Sequence, residues 1–186
     1  MCEWVHDEAS VWMDPVRHRE AMREQAETLA EAGVDLIAVE MAMRHDHARN
    51  AVEEALATGL PVWVGCSCSR DPKSGAVLTF HDPLRPFEEL VDELVRPGVG
   101  VFNVMHSAIS DTGPGLEILR ARWDGPIGAY PECGTFTMPN WRFVDVITPE
   151  ELVREARVWR DLGVQLFGGC CGLGPAHVRA LRDAFP

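Results

Sequence analysis

Five times along this chain an apolar run of strand length is followed by a run with helical periodicity, and this alternation constrains the fold more than any other feature. The strand candidates are VDLIAVEM, PVWVGCSCS, VGVFNVMH, PIGAYPE and VQLFGG. The helix candidates run from Pro15 to about Ala32, over HDHARNAVEEALATG, PLRPFEELVDELV, TGPGLEILRARW and PEELVREARVWRDLG, and from about Pro175 to Ala184. Strands that are apolar along their length, each separated from the next by one helix, pair in parallel through right-handed crossovers. The fold class is therefore α/β, and 186 residues supply one domain with a core of its own. Pattern alone leaves open whether the units form a doubly wound sheet or an arc of a (β/α)8 barrel. In either case a functional site belongs at the carboxyl ends of the strands.

Chemistry-bearing residues fall at those ends. Glu40 closes the first strand, Cys66 and Cys68 the second, Asn103 and His106 the third. Tyr130, Glu132 and Cys133 close the fourth, and Cys170 and Cys171 the fifth. The segment LFGGCCGLGP places two adjacent cysteines among close glycines. Neighbouring side chains on a strand point to opposite faces, so two adjacent thiols reach one object only where the backbone leaves strand geometry. Gly168, Gly169 and Gly172 allow that departure. Thiolates combined with imidazole select zinc among the common metals, and ligands drawn from separate strand ends suit a catalytic ion with one open position. A pair of small residues in a tight turn is the competing explanation for Cys170 and Cys171.

Composition excludes some partners. Seventeen basic against 29 acidic residues give a net charge of −12, which opposes nucleic acid and anionic membrane surfaces and favours a small-molecule partner. No segment approaches the roughly 18 uninterrupted apolar residues of a membrane span, and the N-terminal stretch lacks the pattern of a secretion signal. Both point to a cytoplasmic protein, in which six cysteines act as thiols or metal ligands rather than as a disulfide framework.

FGGCCGLGPAHVRAL, preceded by a helix and the strand VQLF, resembles the C-terminal signature of the zinc-dependent homocysteine S-methyltransferases, the family that includes betaine- and S-methylmethionine-using enzymes. AGVDLIAVE, PVWVGCS, GVFNVMHS and AYPECG match in the family's order, so the resemblance runs from about residue 20 to the end. It implies zinc, a thiol acceptor such as homocysteine, an onium methyl donor, and a fold made of the last five units of a (β/α)8 barrel. It also implies that Glu40 holds the substrate ammonium group and that Asn103 orients substrate or backbone near the metal.

Two departures accompany the resemblance. About five strand-helix units are present and the family's first strand has no counterpart, so the chain is a shortened homologue, a fragment, or a unit completed by a homo-oligomer or another partner. The position matching the family's third zinc cysteine is Val104. His106, two residues on and expected to share its face, is the replacement ligand, with Cys133 as competitor.

Other residues carry weaker signals. Cys66 and Cys68 have the spacing to share a face and bind metal, but packing within the sheet is the expectation. His45 and His47, with Glu40, offer the outline of a metal hydrolase; a solvated helix start is the expectation for the two histidines. Trp141 is a packing residue or a wall of the donor pocket.

Overall fold

The computed structural model describes residues 14–80, 84–137 and 142–186. A five-stranded parallel sheet organises them, built from β1 (Ile37–Ala42), β2 (Val62–Cys66), β5 (Val99–Ala108), β6 (Ile127–Glu132) and β9 (Val164–Phe167). The strands lie in that order, which is their order along the chain. The helices are α1 (Pro15–Glu31), α2 (His45–Ala57), α3 (Phe87–Leu94), α4 (Ile109–Arg120), α5 (Pro149–Asp161) and α6 (Pro175–Ala184). Two short antiparallel hairpins complete the fold: β3 (Cys68–Arg70) with β4 (Val77–Thr79), and β7 (Thr135–Thr137) with β8 (Arg142–Val144).

Alternate strand residues decide between the two architectures the sequence left open. Ile37, Val39, Val62, Val64, Phe102, Val104, Ile127, Ala129 and Val164 join one apolar cluster that also contains residues of all six helices or packs against them. A doubly wound sheet would divide its helices between two faces. Here the helices share one face, and the fold is an open arc of the β/α units from which a (β/α)8 barrel is assembled. β1 and β9 are the sheet's two edges among the described residues.

Local sequence explains several boundaries. Asp14 caps α1 by accepting from the Val16 and Arg17 amides, with Pro15 at the first helical position. Thr148 and Glu151 form a capping box at the start of α5. The helix over residues 109–120 begins earlier than the sequence pattern suggested, and Pro114 lies within its early turns. Pro114 is the sixth residue of the helix, past the first turn whose amides have no intrahelical acceptor, so the helix gives up one backbone hydrogen bond to the carbonyl four residues earlier.

Helix α1 lies against α2 and corrects one expectation. Arg19 and Arg23 both reach Glu54, and Arg19 also pairs with Glu53. Beneath these pairs His45 and His47 are buried rather than solvated. His47 stacks on His18 of α1 at 3.9 Å between ring centroids, and His45 Nδ1 lies 2.7 Å from Glu93. The sequence pattern at the start of α2 is charged and suggests exposure because the cover supplied by α1, more than two dozen residues earlier, carries no local signal.

On the opposite face of the sheet Asn103, Met105 and Tyr130 alternate with the core set, whereas Met41 reaches it through a break in the β1–β2 register between Val39 and Ala42 and a φ of +60°. Met41, Met43 and Met105 form a separate small cluster, with Phe80, Tyr130 and Cys170 packed against it. Asn103 is buried on this face, donates its side-chain amide to the Val64 carbonyl at 3.4 Å and lies against Gly128.

Candidate metal centre

Where β6 and β9 end, the backbone passes from strand into turn in a way that places the two cysteines. The Gly168 amide continues the ladder to the Ala129 carbonyl, and the Cys170 amide bonds the Pro131 carbonyl at 2.8 Å. The chain then turns, with Leu173 N–H bonded to the Cys170 carbonyl, and the Cys133 amide donates to the Cys171 carbonyl at 2.9 Å. Gly172 makes this turn with φ +79°, and a Cβ there would collide with the Cys133 carbonyl. His177 Nδ1 accepts from the Gly174 amide, and its Nε2 donates to the Ile147 carbonyl at 2.8 Å, tying the turn to the segment before α5.

His106 arrives from β5. The expectation that it shares the face of Val104 is corrected: Val104 points at Gly115 of α4 and belongs to the helix-side core. His106 is turned away by a break in the β5–β6 register between Met105 and Ala108 and by its own φ of +42°, a backbone state that bulky residues seldom adopt. Its imidazole meets the ring of Phe80 edge-on, with centroids 5.1 Å apart.

One ligand atom from each of His106, Cys170 and Cys171 lies within 4.8 Å of the others. His106 Nδ1 is 3.4 Å from the Cys170 sulfur, and the two sulfurs are 3.8 Å apart. Burial and the adjacent Cys171 thiol push Cys170 up to about 12, and burial lowers the His106 pKa, so the cluster holds a neutral imidazole and a protonated Cys170 thiol when no cation is near. A divalent ion inverts that preference by stabilising thiolates. Two soft sulfurs and one imidazole fit zinc, and three donors leave a fourth position for a ligand from outside.

Other expected residues lie elsewhere. Cys133 is buried beside the turn, but its sulfur accepts the Ile147 amide at 3.4 Å and it is not one of the three grouped donors. Cys66 and Cys68 are in the main core, and burial pushes Cys68 up to about 12. They serve packing within the core, as expected. Glu40 lies on β1 near the buried Tyr130 phenol, whose pKa burial and that carboxylate raise. Asn103 sits within the sheet on the inner face. Trp141 falls outside the described residues. The hydrolase grouping of Glu40, His45 and His47 does not assemble, since His47 stacks on His18 of α1 and His45 is engaged by Glu93 of α3.

The sequence places Glu132 at the rim and gives it no role. Its carboxylate lies 3.3 Å from His106 Nε2, on the far side of the ring from Cys170, and burial raises its pKa. Glu132 also borders a cleft of about 440 Å³, together with Ala108, Ser110, Cys133, Ile147 and Glu155.

A parallel β/α arc with soft donors gathered at its carboxyl rim defines part of a barrel-type domain with a candidate metal centre. The homocysteine S-methyltransferase family profile matches residues 7–185, and the chain belongs to that family. A maize homocysteine S-methyltransferase is 29% identical over 169 residues, covering 87% of this chain and 47% of the relative. A broccoli selenocysteine Se-methyltransferase is 29% identical, with 86% and 46% covered. Mouse betaine–homocysteine S-methyltransferase is 26% identical, with 90% and 44% covered. The metallated form of the Escherichia coli homocysteine methyltransferase MmuM superposes with a TM-score of 0.70 at 22% identity, covering 94% of this chain and 53% of that one. The chain thus spans about half the length of the relatives it matches. Among the described residues no helix is long and apolar enough to cross a membrane.

Proposed function

We propose that this chain carries the metal half of a methyl-transfer site, in which zinc held by Cys170, Cys171 and His106 serves transfer of a methyl group from an onium donor to the thiol of homocysteine or a close analogue. The observation that carries the reading is the convergence of the three ligand atoms within 4.8 Å. When bound, zinc supplies a Lewis acid that lowers the pKa of a coordinated substrate thiol, so that a thiolate is present at neutral pH. The thiolate sulfur attacks the methyl carbon, the carbon–onium bond breaks toward the donor, and the donor leaves as a neutral thioether or amine. The protein's contribution is chiefly positioning. Cys170 and Cys171 are set side by side by the Gly172 turn, and His106 is brought to them by the bulge in β5. Glu40, near Tyr130, faces the substrate ammonium group, and Asn103 acts on the backbone by holding β5 to β2.

Elemental analysis of reduced protein tests the metal: about one zinc per chain is expected, and far less, not restored by added zinc, overturns the reading. Methyl transfer to homocysteine from S-methylmethionine and from betaine tests the chemistry. The alternative reading is a chain that holds zinc but turns over only when a second copy, another chain or further barrel units complete the site. Stoichiometric zinc without product, in a particle that light scattering shows to be a monomer, selects that alternative.

A further inference from the structure

We propose that Glu132 is a positioning residue that fixes the tautomer and orientation of His106, so that the Nδ1 atom faces the metal and the Nε2–H donates to the Glu132 carboxylate. The inference rests on the zinc reading above and deepens it by assigning a residue behind the ligand set. The two ring nitrogens point to opposite sides: Nδ1 lies 3.4 Å from the Cys170 sulfur and Nε2 lies 3.3 Å from Glu132 Oε2. A neutral imidazole carries one proton, and the nitrogen that keeps it is the one with the better acceptor. The carboxylate is the better acceptor, which turns the Nδ1 lone pair toward the sulfurs.

The topology holds this pair in place. Glu132 is paired with Ala108 at the end of the β5–β6 ladder, directly after the irregularity that turns His106. Phe80 meets the ring edge-on, and His106 is only 4% exposed, so the imidazole is constrained on several sides. Electrostatics give the carboxylate a second use. Two thiolates and a neutral imidazole balance the charge of zinc, whereas a third thiolate would leave the centre with an extra negative charge. A carboxylate on the far side of the imidazole returns negative charge to the assembly and makes the ring a stronger donor, as carboxylate–histidine–metal arrangements do.

Zinc affinity by chelator competition, combined with the nitrogen spectrum of ¹⁵N-histidine-labelled, zinc-loaded protein, tests the assignment. Glu132→Ala is expected to weaken zinc binding by about 10- to 100-fold. Glu132→Gln, whose amide oxygen still accepts from Nε2–H, is expected to stay within about tenfold of the unsubstituted protein, and the spectrum is expected to show the His106 proton on Nε2. Undiminished zinc affinity in Glu132→Ala, or a His106 proton on Nδ1, overturns the proposal. Cys170→Ala and His106→Ala separate it from the reading beneath it. If both lower zinc affinity while Glu132→Ala does not, only the role of Glu132 fails. If neither does, the metal site itself is wrong and the proposal falls with it.

Discussion

Gly65 on β2 leaves the space that the Tyr130 hydroxyl of β6 occupies: a Cβ at Gly65 would stand 2.5 Å from that oxygen and 2.8 Å from the Met105 sulfur. Tyr130 therefore reaches across β5 over the inner face of the sheet, and its phenol meets Glu40 on β1. The absence of a side chain at one position on β2 is what allows β1 and β6 to communicate above the sheet.

Gly65→Ala should consequently destabilise the fold by about 1–3 kcal/mol, the usual cost of forcing extra volume into a packed site. Denaturant midpoints measure it. Tyr130→Phe removes the nearer obstacle, so the double variant should lose less than the two single losses added together. Strict additivity would show that the phenol and the glycine do not share this space.

The third ligand separates two neighbours. His106→Ala should lower zinc affinity by more than about 100-fold, beyond the range of substitutions behind the ligands. Cys133→Ala should leave it within a few-fold, because that sulfur accepts the Ile147 amide. The expected cost of Cys133→Ala is a modest loss of stability. Chelator competition on both variants is the check, and a large loss in Cys133→Ala alone moves the ligand role to that cysteine.

The parallel α/β class was legible because every strand of the main sheet is a continuous apolar run bounded by a helix pattern. The two hairpins were not: β3, β4, β7 and β8 are three residues each, too short to show a period. At the site, Cys170 and Cys171 announced themselves by their glycines. His106 stands out in the sequence on the supposition that it shares the face of Val104, but the bulge after Met105 and a positive φ place it instead. Those are features of strand pairing, which one strand's sequence does not display. The contact between His106 and Glu132 likewise exists only because β6 lies beside β5.

The Gly172 turn supplies a test that leaves both thiols in place. At φ +79° an alanine costs about 1–2 kcal/mol in backbone energy, and its Cβ would collide with the Cys133 carbonyl. Relieving the collision means moving the carbonyl of Cys133 or the turn that carries Cys171. Gly172→Ala should therefore reduce zinc affinity by tenfold or more even though no ligand is altered. Unchanged affinity with an unchanged fold would show that the turn does not set the spacing of the sulfurs.

Away from the site, the stacked pair of His18 and His47 makes stability depend on pH. Burial chiefly, then the nearby His47 ring and, more weakly, Arg44 lower the His18 pKa from 6.5 to about 4, while Asp46 acts in the opposite direction. The folded state thus prefers neutral His18, and between about pH 6.5 and 4 the unfolded chain binds more protons than the folded one. Stability accordingly falls as pH is lowered through that window and the contribution levels off below about 4. A tenfold difference in proton affinity between the folded and unfolded states is worth about 1.4 kcal/mol, so the full loss is at most about 3.5 kcal/mol. Urea unfolding at pH 7 and pH 5, with chelator present so that metal release does not contribute, reads it directly. His18→Gln keeps a polar group of similar size on the buried side of α1 but cannot take up a proton, so its stability difference between the two pH values should be smaller than that of the unsubstituted protein. An equal difference in both would place the acid sensitivity in other groups.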